Sequence, residues 1–592
     1  MANEKANLKS EFQSPLTWLK WLLVLIIVTY AGYMVVSMYM RGDVAFPLLI
    51  LIVVSSGVVI FLSKKTYAHR YAFPAIAGMA TFIIFPMLYT ISIAFTNYSG
   101  DHTLTVDRAM KFHLDKVYRI PADQEGGGTY LFKLVVKNPE SPATRQAQVI
   151  LQKEDEGKAL FISDYFKIKT KNELSKNGEA PSVIVNLSPY HGPDSKDCKD
   201  PEGNSLTLDE CLVSLSDLAK PADINTVYKP ALDKVDLVLP DSSVKLRKTQ
   251  MRKFEAVINK YDPVKYGATL PGGTFYTHKN LLKDNETGKY FAPDETVGFY
   301  RYLNDDAHPI GDNYVPGFKI GVGFNNFATI FEDEGVRGPF FKIFVWTVVF
   351  AALTVFITLA IGMVLACLVQ WEFLKGRGIY RVFLILPYAV PAFISILVFR
   401  GLFNESFGEI NAIIKSVLGI FLSADTVKEI EIPWFSSPLM AKSMILLVNA
   451  WLGYPYMMIL CMGLLKSIPD DLYEASAMDG SSFIDNFFNI TLPLLIKPLT
   501  PLLIASFAFN FNNFVLIMLL TNGSPDILDA NPQAGETDLL VSYTYRIAFQ
   551  GNGGQNYGLA AAIATLIFIL VGAIAVVQLW FSRKLAAEKP IA

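Results

Sequence analysis

The chain has 592 residues, of which 52% are hydrophobic and 18% are charged, and its mean hydropathy is +0.33. A soluble enzyme of this length needs more charged surface, so the composition excludes that class and predicts a polytopic α-helical membrane protein. The 52 Lys and Arg residues nearly balance the 54 Asp and Glu residues, and the net charge of -2 gives no indication of a nucleic-acid partner.

Eight segments are long and apolar enough to cross a lipid bilayer, which takes about 20 residues of α-helix. They lie near 20–40, 44–63, 71–96, 341–369, 381–403, 440–465, 490–520 and 557–582. The first segment is too long for the apolar core of a signal peptide and has no small-residue cleavage site before Arg41, so we expect an uncleaved anchor. Residues 1–96 are thus predicted to form three N-terminal transmembrane helices.

Lys and Arg side chains are concentrated in one set of the short connections between these spans. That set includes both ends of the chain, together with Lys466 and Lys497, which flank the connection 467–493. Short connections rich in Lys and Arg face the cytoplasm. We therefore expect a multi-pass membrane protein with both termini in the cytoplasm. The long segment after the third span then lies outside, in a periplasm if the organism has two membranes.

Residues 97–316 are polar and numerous enough to form a domain with a core of its own. Runs of β-forming residues at 130–136, 149–151 and 183–185, and a hairpin pattern over 235–246, predict that this periplasmic domain is mostly β. The sequence has no His/Cys cluster with metal-ligand spacing, no G-x-S-x-G and no phosphate-binding loop. The chain is thus predicted to hold no metal and no catalytic residue.

Two cysteines, Cys198 and Cys211, lie in this domain, and the other two, Cys367 and Cys461, lie in predicted spans. Because the periplasm is oxidising, we expect a disulfide between Cys198 and Cys211, which would stabilise the fold by about 3 kcal/mol. The alternative is two free thiols on a loop. The cysteines in the spans are expected to pack as small apolar residues.

Aromatic residues in 317–340 predict a segment that lies along the outer membrane interface, and residues 341–592 then form a core with five spans. In the fifth span of the chain, Pro387 and Pro391 flank Tyr388. Proline has no amide hydrogen and clashes with the preceding turn of a helix. The fifth span is thus predicted to be a helix broken near the middle of the membrane.

The sixth span carries a polar and aromatic face. Its members, spaced at i, i+3, i+4 and i+7, are Asn449, Leu452, Gly453 and Tyr456. Side chains with this spacing lie on one side of an α-helix. Polar residues inside a span are energetically costly and indicate a functional site.

The connection 467–493, which we term the elbow, is predicted to form two short helices outside the lipid. Ser467 is expected to cap the first helix, which ends at Gly480, and Pro493 to end the second. The middle of the first helix has small side chains that let another protein approach the backbone closely. The residues expected to make this contact are Glu474, Ala475, Ser476, Ala477 and Gly480.

The spacing of Glu474 and Ala475, then Gly480, then Leu492 and Pro493 resembles the EAA loop of binding-protein-dependent ABC importers. The resemblance implies that the first helix of the elbow is the coupling helix, which docks on a cytoplasmic ATPase subunit. Ser476 departs from the family, which usually has alanine there. The alternative is an ordinary loop helix that stabilises its own bundle.

The seventh span continues the pattern of the sixth. Its residues Ser506, Phe509, Asn510 and Asn513 again fall at i, i+3, i+4 and i+7 and are predicted to form one face of a single helix. Neither span has a charged residue in its middle, whereas an amino acid, phosphate or metal ion calls for charge. Neutral amides and aromatic rings suit a sugar. The alternative is that the asparagines bond across helices as packing residues.

From about residue 317 to the C-terminus, and recognisably in the first three spans, the sequence resembles the MalF family, the larger permease subunits of maltose/maltodextrin ABC importers. The motifs are LILPYAVPAFISIL, NAWLGYPYMMIL with the elbow, and ASFAFNFNNFVLI. The resemblance implies sugar contacts by Tyr388, Asn449, Leu452, Gly453, Tyr456, Ser506, Phe509, Asn510 and Asn513. Ala392 stands where a serine is expected. For the periplasmic domain, the resemblance implies an immunoglobulin-like module that contacts a binding protein.

The implied function is translocation of maltose and maltodextrins, with no hydrolysis by this chain. The implied partners are a second permease subunit (MalG-like), two ATPase subunits (MalK-like) that hold the ATP and Mg, and a periplasmic maltose-binding protein. No G-x-x-x-x-G-K-[ST] motif is present, so we expect no cofactor on this chain. The alternatives are a permease for another neutral oligosaccharide, an ion-driven transporter, which would need ionisable groups in the spans, and a receptor, which would need a cytoplasmic output domain.

Overall fold

The computed structural model describes residues 15–40, 44–63, 65–120, 128–141, 144–153, 159–170, 183–189, 224–240, 244–250, 253–371, 374–423, 426–427, 430–550 and 555–587. The chain forms two units, one made of Met1–Asp101 and Ile320–Ala592 and the other of His102–Lys319. We term the first the membrane unit and the second the β unit. Cys198, Cys211 and the disulfide predicted between them lie outside the described residues.

The described helices are α1 (Pro15–Met40), α2 (Ala45–Leu62), α3 (His69–Ala94), α4 (Val106–Leu114), α5 (Lys229–Leu232), α6 (Asn325–Glu332), α7 (Glu334–Gln370), α8 (Arg377–Ala389), α9 (Ala392–Leu402), α10 (Glu409–Leu418), α11 (Pro438–Leu465), α12 (Asp470–Met478), α13 (Phe483–Asn486), α14 (Leu492–Phe511), α15 (Phe514–Leu520), α16 (Leu540–Phe549) and α17 (Tyr557–Ala587). Three π turns accompany them: Ala80–Ile84 within α3, Ile224–Tyr228 before α5, and Phe487–Thr491 between α13 and α14.

Seven helical segments in the described residues are long and apolar enough to cross a membrane. They are α1, α2, α3, α7, α11, the segment Phe483–Phe511, and α17. The pair α8 and α9 becomes an eighth span if it crosses as one, with a bend of 90° between its halves. The predicted class, a polytopic α-helical membrane protein, is confirmed, and so is the broken fifth span.

The long helices α7 and α11 pack closely against each other in the membrane unit. A methyl group added at Gly362 of α7 would lie 2.7 Å from the Cβ of Met457 on α11, and one added at Gly453 would lie 2.9 Å from the Cγ2 of Thr358. Real Cβ atoms do not approach this closely, so both glycines are needed for the observed separation. Small residues commonly allow such close approach between helices in membranes, where dispersion contacts replace the hydrophobic effect.

The described strands of the β unit are β1 (Val117–Arg119), β2 (Thr129–Lys137), β3 (Gln146–Lys153), β4 (Ala159–Ser163), β5 (Phe166–Lys167), β6 (Val183–Pro189), β7 (Val235–Val238), β8 (Lys245–Gln250), β9 (Lys253–Asn259), β10 (Tyr261–Pro263), β11 (Ala268–Thr269), β12 (Phe275–Tyr276), β13 (Leu282–Asp284), β14 (Tyr290–Asp294), β15 (Phe299–Leu303) and β16 (Pro309–Tyr314). The prediction that this region is mostly β is confirmed, including the hairpin, in which β7 pairs antiparallel with β8.

Seven of these strands are joined in a closed ring. Strand β9 pairs with β2 on one side and with β8 on the other, and the path between them runs through β3, β4, β6 and β7. The interior is apolar, with Leu134, Leu151, Leu246 and Phe254 fully buried. An immunoglobulin-like module has two stacked sheets, so this edge-to-edge ring differs from the fold that the family resemblance implied.

The remaining strands form a sheet in the order β10, β13, β14, β15, β16 and a separate pair, β11 with β12. This sheet packs its aromatic residues on α4, where His113 is fully buried among the rings of Tyr261, Phe291 and Tyr300. Neither ring nitrogen of His113 has a hydrogen-bond partner among the described residues. Burial lowers the pKa of His113 to about 3, so its imidazole is neutral at physiological pH.

Candidate functional site

Three asparagines from the sixth and seventh spans meet in the membrane unit. The Asn449 Nδ2 atom on α11 donates to the Oδ1 of Asn510 in the last turn of α14, at 2.8 Å. The Asn513 Nδ2 atom donates in turn to the Oδ1 of Asn449, at 3.3 Å. Asn449 is 5% exposed and Asn510 is 6% exposed. We term these three residues the asparagine cluster.

The buried amides of the asparagine cluster are largely satisfied by protein atoms. Asn510 Nδ2 donates to the carbonyl oxygen of Ser506 at 2.8 Å, and the Oδ1 of Asn513 accepts from the amide of Leu516 at 3.4 Å. Buried amides without partners are costly in a bilayer, where no water can replace a missing hydrogen bond. The cluster nevertheless keeps capacity for a ligand, because each amide carries two donor hydrogens and two acceptor lone pairs.

The cluster also includes a residue of α7 that the sequence analysis did not single out. Thr354 is 2% exposed, and its hydroxyl accepts a hydrogen bond from Asn449 Nδ2 at 3.2 Å. A threonine in a span ordinarily bonds a carbonyl of its own helix, so its presence in the sequence carries no signal of a role in a site. The cross-helix bond is visible only once α7 and α11 are placed together.

The aromatic residues predicted for the site are exposed on the surface of this chain. Phe509 is 75% exposed, Tyr388 is 59% exposed and Tyr456 is 38% exposed, whereas Leu452 and Ser506 are half-buried. Gly453 packs against Thr358 of α7, as described above. Among the predicted residues, Asn449 and Asn510 are therefore buried, whereas the three aromatic rings are exposed.

The prediction that Asn513 lies on the same helix as Ser506 and Asn510 is wrong. Helix α14 ends at Phe511, and Asn513 caps the next helix, α15, by accepting from Leu516. Asparagine side chains compete with the helix for backbone hydrogen bonds, and three of them within four residues end it here. The break places the Asn513 side chain within hydrogen-bond distance of Asn449. The helical spacing by itself did not predict this contact.

The broken fifth span is connected to α11 through Tyr454, which is not among the predicted sugar contacts. The Tyr454 hydroxyl donates to the carbonyl oxygen of Leu384 in α8 at 3.0 Å. Tyr388 lies one turn later in α8, next to the break at Val390 and Pro391. Ala392, which stands where a serine was expected, begins α9. Among the described residues, the serine or threonine nearest to Ala392 in sequence is Ser395, which lies one turn later in α9 and is buried.

The elbow forms two helices, α12 and α13, as predicted, and Gly480 separates them with a φ of 77°. This left-handed conformation is open to glycine and strained for most other residues. After it, Ser482 and Asp485 form a capping box at the start of α13. The turn between the helices is therefore determined by local sequence.

Two side-chain bonds hold α12 in place. The Ser476 hydroxyl donates to Asn486 Oδ1 in α13, and the Tyr473 hydroxyl lies 2.9 Å from the Thr491 hydroxyl. Glu474, Ala475, Ala477 and Gly480 are exposed, as contact with another protein requires. Exposed apolar side chains surround them: Leu472, Met478, Phe483, Ile484 and Phe488.

Two details of the elbow differ from the predictions. Ser467 does not cap α12, because its hydroxyl donates back to the carbonyl oxygen of Leu464, and Pro469 holds the N-cap position. Pro493 does not end the second helix. The π turn Phe487–Thr491 already interrupts the regular hydrogen bonding just before it, and Pro493 lies in the first turn of α14, where a missing amide hydrogen costs little.

Three parts of the chain match known families. Residues 104–323 match the maltose transport system permease protein MalF P2 domain, and residues 18–65 match the N-terminal transmembrane helices of MalF. Residues 358–586 match the binding-protein-dependent transport system inner membrane component. The three matches together span both units.

Similarity to full-length relatives is high. The maltose/maltodextrin transport system permease protein MalF of Klebsiella aerogenes is 47% identical over 575 residues, which cover 97% of this chain and 98% of that protein. The chain belongs to the MalF family. The MalF protein of Vibrio cholerae is 46% identical over 566 residues, with 96% of this chain and 95% of that protein covered. The family expected from the sequence motifs is confirmed.

Among solved structures, a bacterial ABC transporter involved in the import of the acidic polysaccharide alginate is 20% identical. The match covers 44% of this chain and 84% of the other, with a TM-score of 0.35. A likeness this distant adds nothing to the MalF assignment.

Proposed function

We propose that this chain is the permease subunit that carries maltose and linear maltodextrins across the inner membrane in an ATP-driven importer. Its relatives in the MalF family are permeases of maltose/maltodextrin transport systems, and they match it along nearly its whole length. The observation that carries the proposal is the asparagine cluster, a buried and uncharged polar group between spans. Such a group can bind sugar hydroxyls without attracting ions.

In this proposal, the asparagine cluster binds the hydroxyl groups of the sugar. An amide presents a donor and an acceptor side by side, which matches the paired hydroxyls of a glucosyl unit. The exposed rings of Phe509, Tyr456 and Tyr388 stack on the C–H faces of the sugar. Because these rings lie on the surface of the chain, a second permease subunit is expected to close the other side of the site.

The elbow is proposed to transmit the movement of partner ATPase subunits. Its exposed small and apolar side chains favour contact with another protein, since apolar groups of this size gain free energy by leaving water. In this proposal, ATP and Mg are held by the two ATPase subunits, and this chain hydrolyses nothing. Closure of the ATPases moves α12 and rocks the two permeases around the sugar site.

The proposed arrangement in the membrane has both termini and the elbow in the cytoplasm and the β unit in the periplasm. The Lys and Arg bias of the short connections supports this orientation. The β unit is then accessible to a periplasmic maltose-binding protein that delivers the sugar.

The test is uptake of radiolabelled maltose by cells that carry this chain with its binding protein, second permease and ATPase, compared with cells that lack only this chain. We expect uptake to depend on the chain and to be reduced by excess unlabelled maltotriose. A complex that assembles and hydrolyses ATP but carries no maltose would contradict the proposed substrate. Competition by other unlabelled sugars would then identify a different neutral oligosaccharide.

A further inference from the structure

Threonine hydroxyls inside the spans of the membrane unit mostly bond their own helix. The hydroxyls of Thr347, Thr358, Thr500 and Thr565 each donate to the carbonyl oxygen four residues earlier, at 2.7 Å. Thr354 differs, because its Oγ1 accepts from Asn449 Nδ2 on α11, and the described hydrogen bonds include no donation from it to its own helix. Its hydroxyl is thus directed to another span.

Asn449 is placed between three partners on three different helices. Its Nδ2 donates to Thr354 on α7 and to Asn510 on α14, and its Oδ1 accepts from Asn513, which begins α15. The Oδ1 bond is the longest of the three, at 3.3 Å. An amide oxygen has a second lone pair, so it can also accept from a ligand hydroxyl.

We propose that Thr354 is a positioning residue for sugar binding, which holds the Asn449 amide in the orientation that presents its oxygen to the sugar. Thr354 need not touch the sugar itself. The inference rests on the proposed function, because it assumes that the asparagine cluster is the sugar site. It adds to that function a residue from α7 and a defined role for its hydroxyl.

The physical reason is the symmetry of the amide group. Its donor and acceptor ends have nearly the same size, so rotation by 180° exchanges them at little steric cost. Thr354 and Asn449 are 2% and 5% exposed, and inside a bilayer no water competes for their hydrogen bonds. The orientation of Asn449 is therefore set by its protein partners, and removal of one of them lets the unfavourable orientation be populated.

The experiment measures equilibrium binding of radiolabelled maltose to the assembled complex of this chain with its second permease and ATPase subunits in lipid nanodiscs. Thr354→Val keeps the shape of the side chain and removes its hydroxyl. We expect the dissociation constant for maltose to rise about three- to tenfold, the usual range for one hydrogen bond. Thr354→Ser, which keeps the hydroxyl, is expected to restore binding to within about twofold of the wild type.

The matched control is Thr565→Val on α17, where the hydroxyl bonds only the carbonyl oxygen of Ala561 among the described contacts. We expect it to bind maltose as the wild type does. A second measurement combines Thr354→Val with Asn449→Ala. Because Thr354 is proposed to act through Asn449, the double variant should take up maltose at the rate of Asn449→Ala alone.

Unchanged maltose binding by Thr354→Val would overturn the inference. So would equal losses in Thr354→Val and Thr354→Ser, or a further loss in the double variant, because those results indicate packing and not positioning. If Thr354→Val fails to assemble, Thr354→Ala, which also removes the hydroxyl, replaces it in both measurements with the same expected results. A wild-type complex that binds no maltose would instead contradict the proposed function, and the two failures are thereby distinguished.

Discussion

The asparagine cluster lies within the sixth and seventh spans, and the elbow connects these two spans. The cluster and the elbow differ in which side chains are buried and which are exposed. The cluster buries polar amides and satisfies them with one another and with Thr354. The elbow exposes apolar side chains, such as Met478 at 88% and Ile484 at 66%. A buried amide needs its partners within the chain, whereas an exposed apolar surface gains its free energy when another protein covers it.

In the proposed function, this difference separates sugar binding by the cluster from coupling by the elbow. Changes in the cluster should alter how tightly sugar is held, because they change donors and acceptors. Changes in the elbow should alter whether ATP hydrolysis moves the spans, with sugar binding unaffected. The predictions below test that separation, beginning with the largest expected effect.

The turn at Gly480 should give the largest effect on uptake. A proline cannot adopt the φ of 77° found there, so Gly480→Pro is expected to displace α12 relative to α13. Apart from the two chain neighbours of Gly480, no described residue has a heavy atom within 4 Å of a Cβ built at this position, so the effect is conformational and not steric. Maltose uptake should fall to below about a tenth of the wild-type rate, while maltose binding to the assembled complex is retained.

The matched control is Gly480→Asn, because asparagine tolerates the left-handed conformation better than other residues that have a Cβ. We expect it to retain most of the uptake. Normal uptake by a well-expressed Gly480→Pro variant, or a parallel loss of maltose binding, would remove the separation between coupling and binding.

The second prediction concerns Asn510, which donates to Ser506 and accepts from Asn449. Asn510→Ala removes both bonds and leaves the Asn449 amide without one of its partners, so maltose uptake should fall about tenfold. Asn512→Ala is the control, since Asn512 is exposed and its side chain bonds only the carbonyl oxygen of Ala508 among the described contacts. Equal uptake by the two variants would indicate that the cluster is only packing.

The third prediction concerns the bond from Ser476 to Asn486, which joins the two helices of the elbow. Loss of one half-buried hydrogen bond costs about 1 kcal/mol, so Ser476→Ala should reduce ATP-driven uptake about fivefold. Asn486→Ala should have the same effect, and the double variant should lose no more than either single one. Additive losses would show that the two residues act separately.

The smallest effect at neutral pH is expected from His113. This residue is buried like the amides of the asparagine cluster, but its ring nitrogens have no hydrogen-bond partner among the described residues. Its pKa is lowered to about 3 in the folded β unit by burial and by nearby Lys116, whereas an exposed histidine titrates near 6.5. Stability is then fully present above about pH 6.5 and is lost as the pH falls toward 3, by about 1.4 kcal/mol per pH unit.

Hydrogen exchange of the β unit in the full-length chain measures this dependence. In His113→Leu, the slope of protection against pH between about 6.5 and 4.5 should be shallower than in the wild type, while uptake at neutral pH is unchanged. Identical slopes in the two proteins would show that His113 is not the titrating group.

Much of the architecture follows from local pattern. Apolar length alone predicted the spans, because each must satisfy its own backbone in lipid. The broken fifth span followed from Pro387 and Pro391, and the turn of the elbow followed from Gly480, since both residue types restrict the backbone directly. Asn449 and Asn510 were predicted as site residues because polar residues are rare inside spans.

Other features depended on residues far apart in the sequence. Helix α14 ends at Phe511, and Asn513 donates a hydrogen bond to Asn449. Both features depend on which hydrogen bonds the asparagine side chains make, and helical spacing in the sequence does not reveal those bonds. The ring of strands closes through β9, which pairs with β8 just before it in the chain and with β2 far earlier in the chain.

Amino-acid sequence by itself determined the spans, the β unit, the elbow and the chemistry of a neutral polar site. Tertiary structure alone decided that Thr354 faces Asn449 and that Ser476 bonds Asn486. The physical reason is that apolar burial and backbone restriction act through neighbours along the chain, whereas a side-chain hydrogen bond requires two atoms about 3 Å apart whose positions are set by the packing of whole helices.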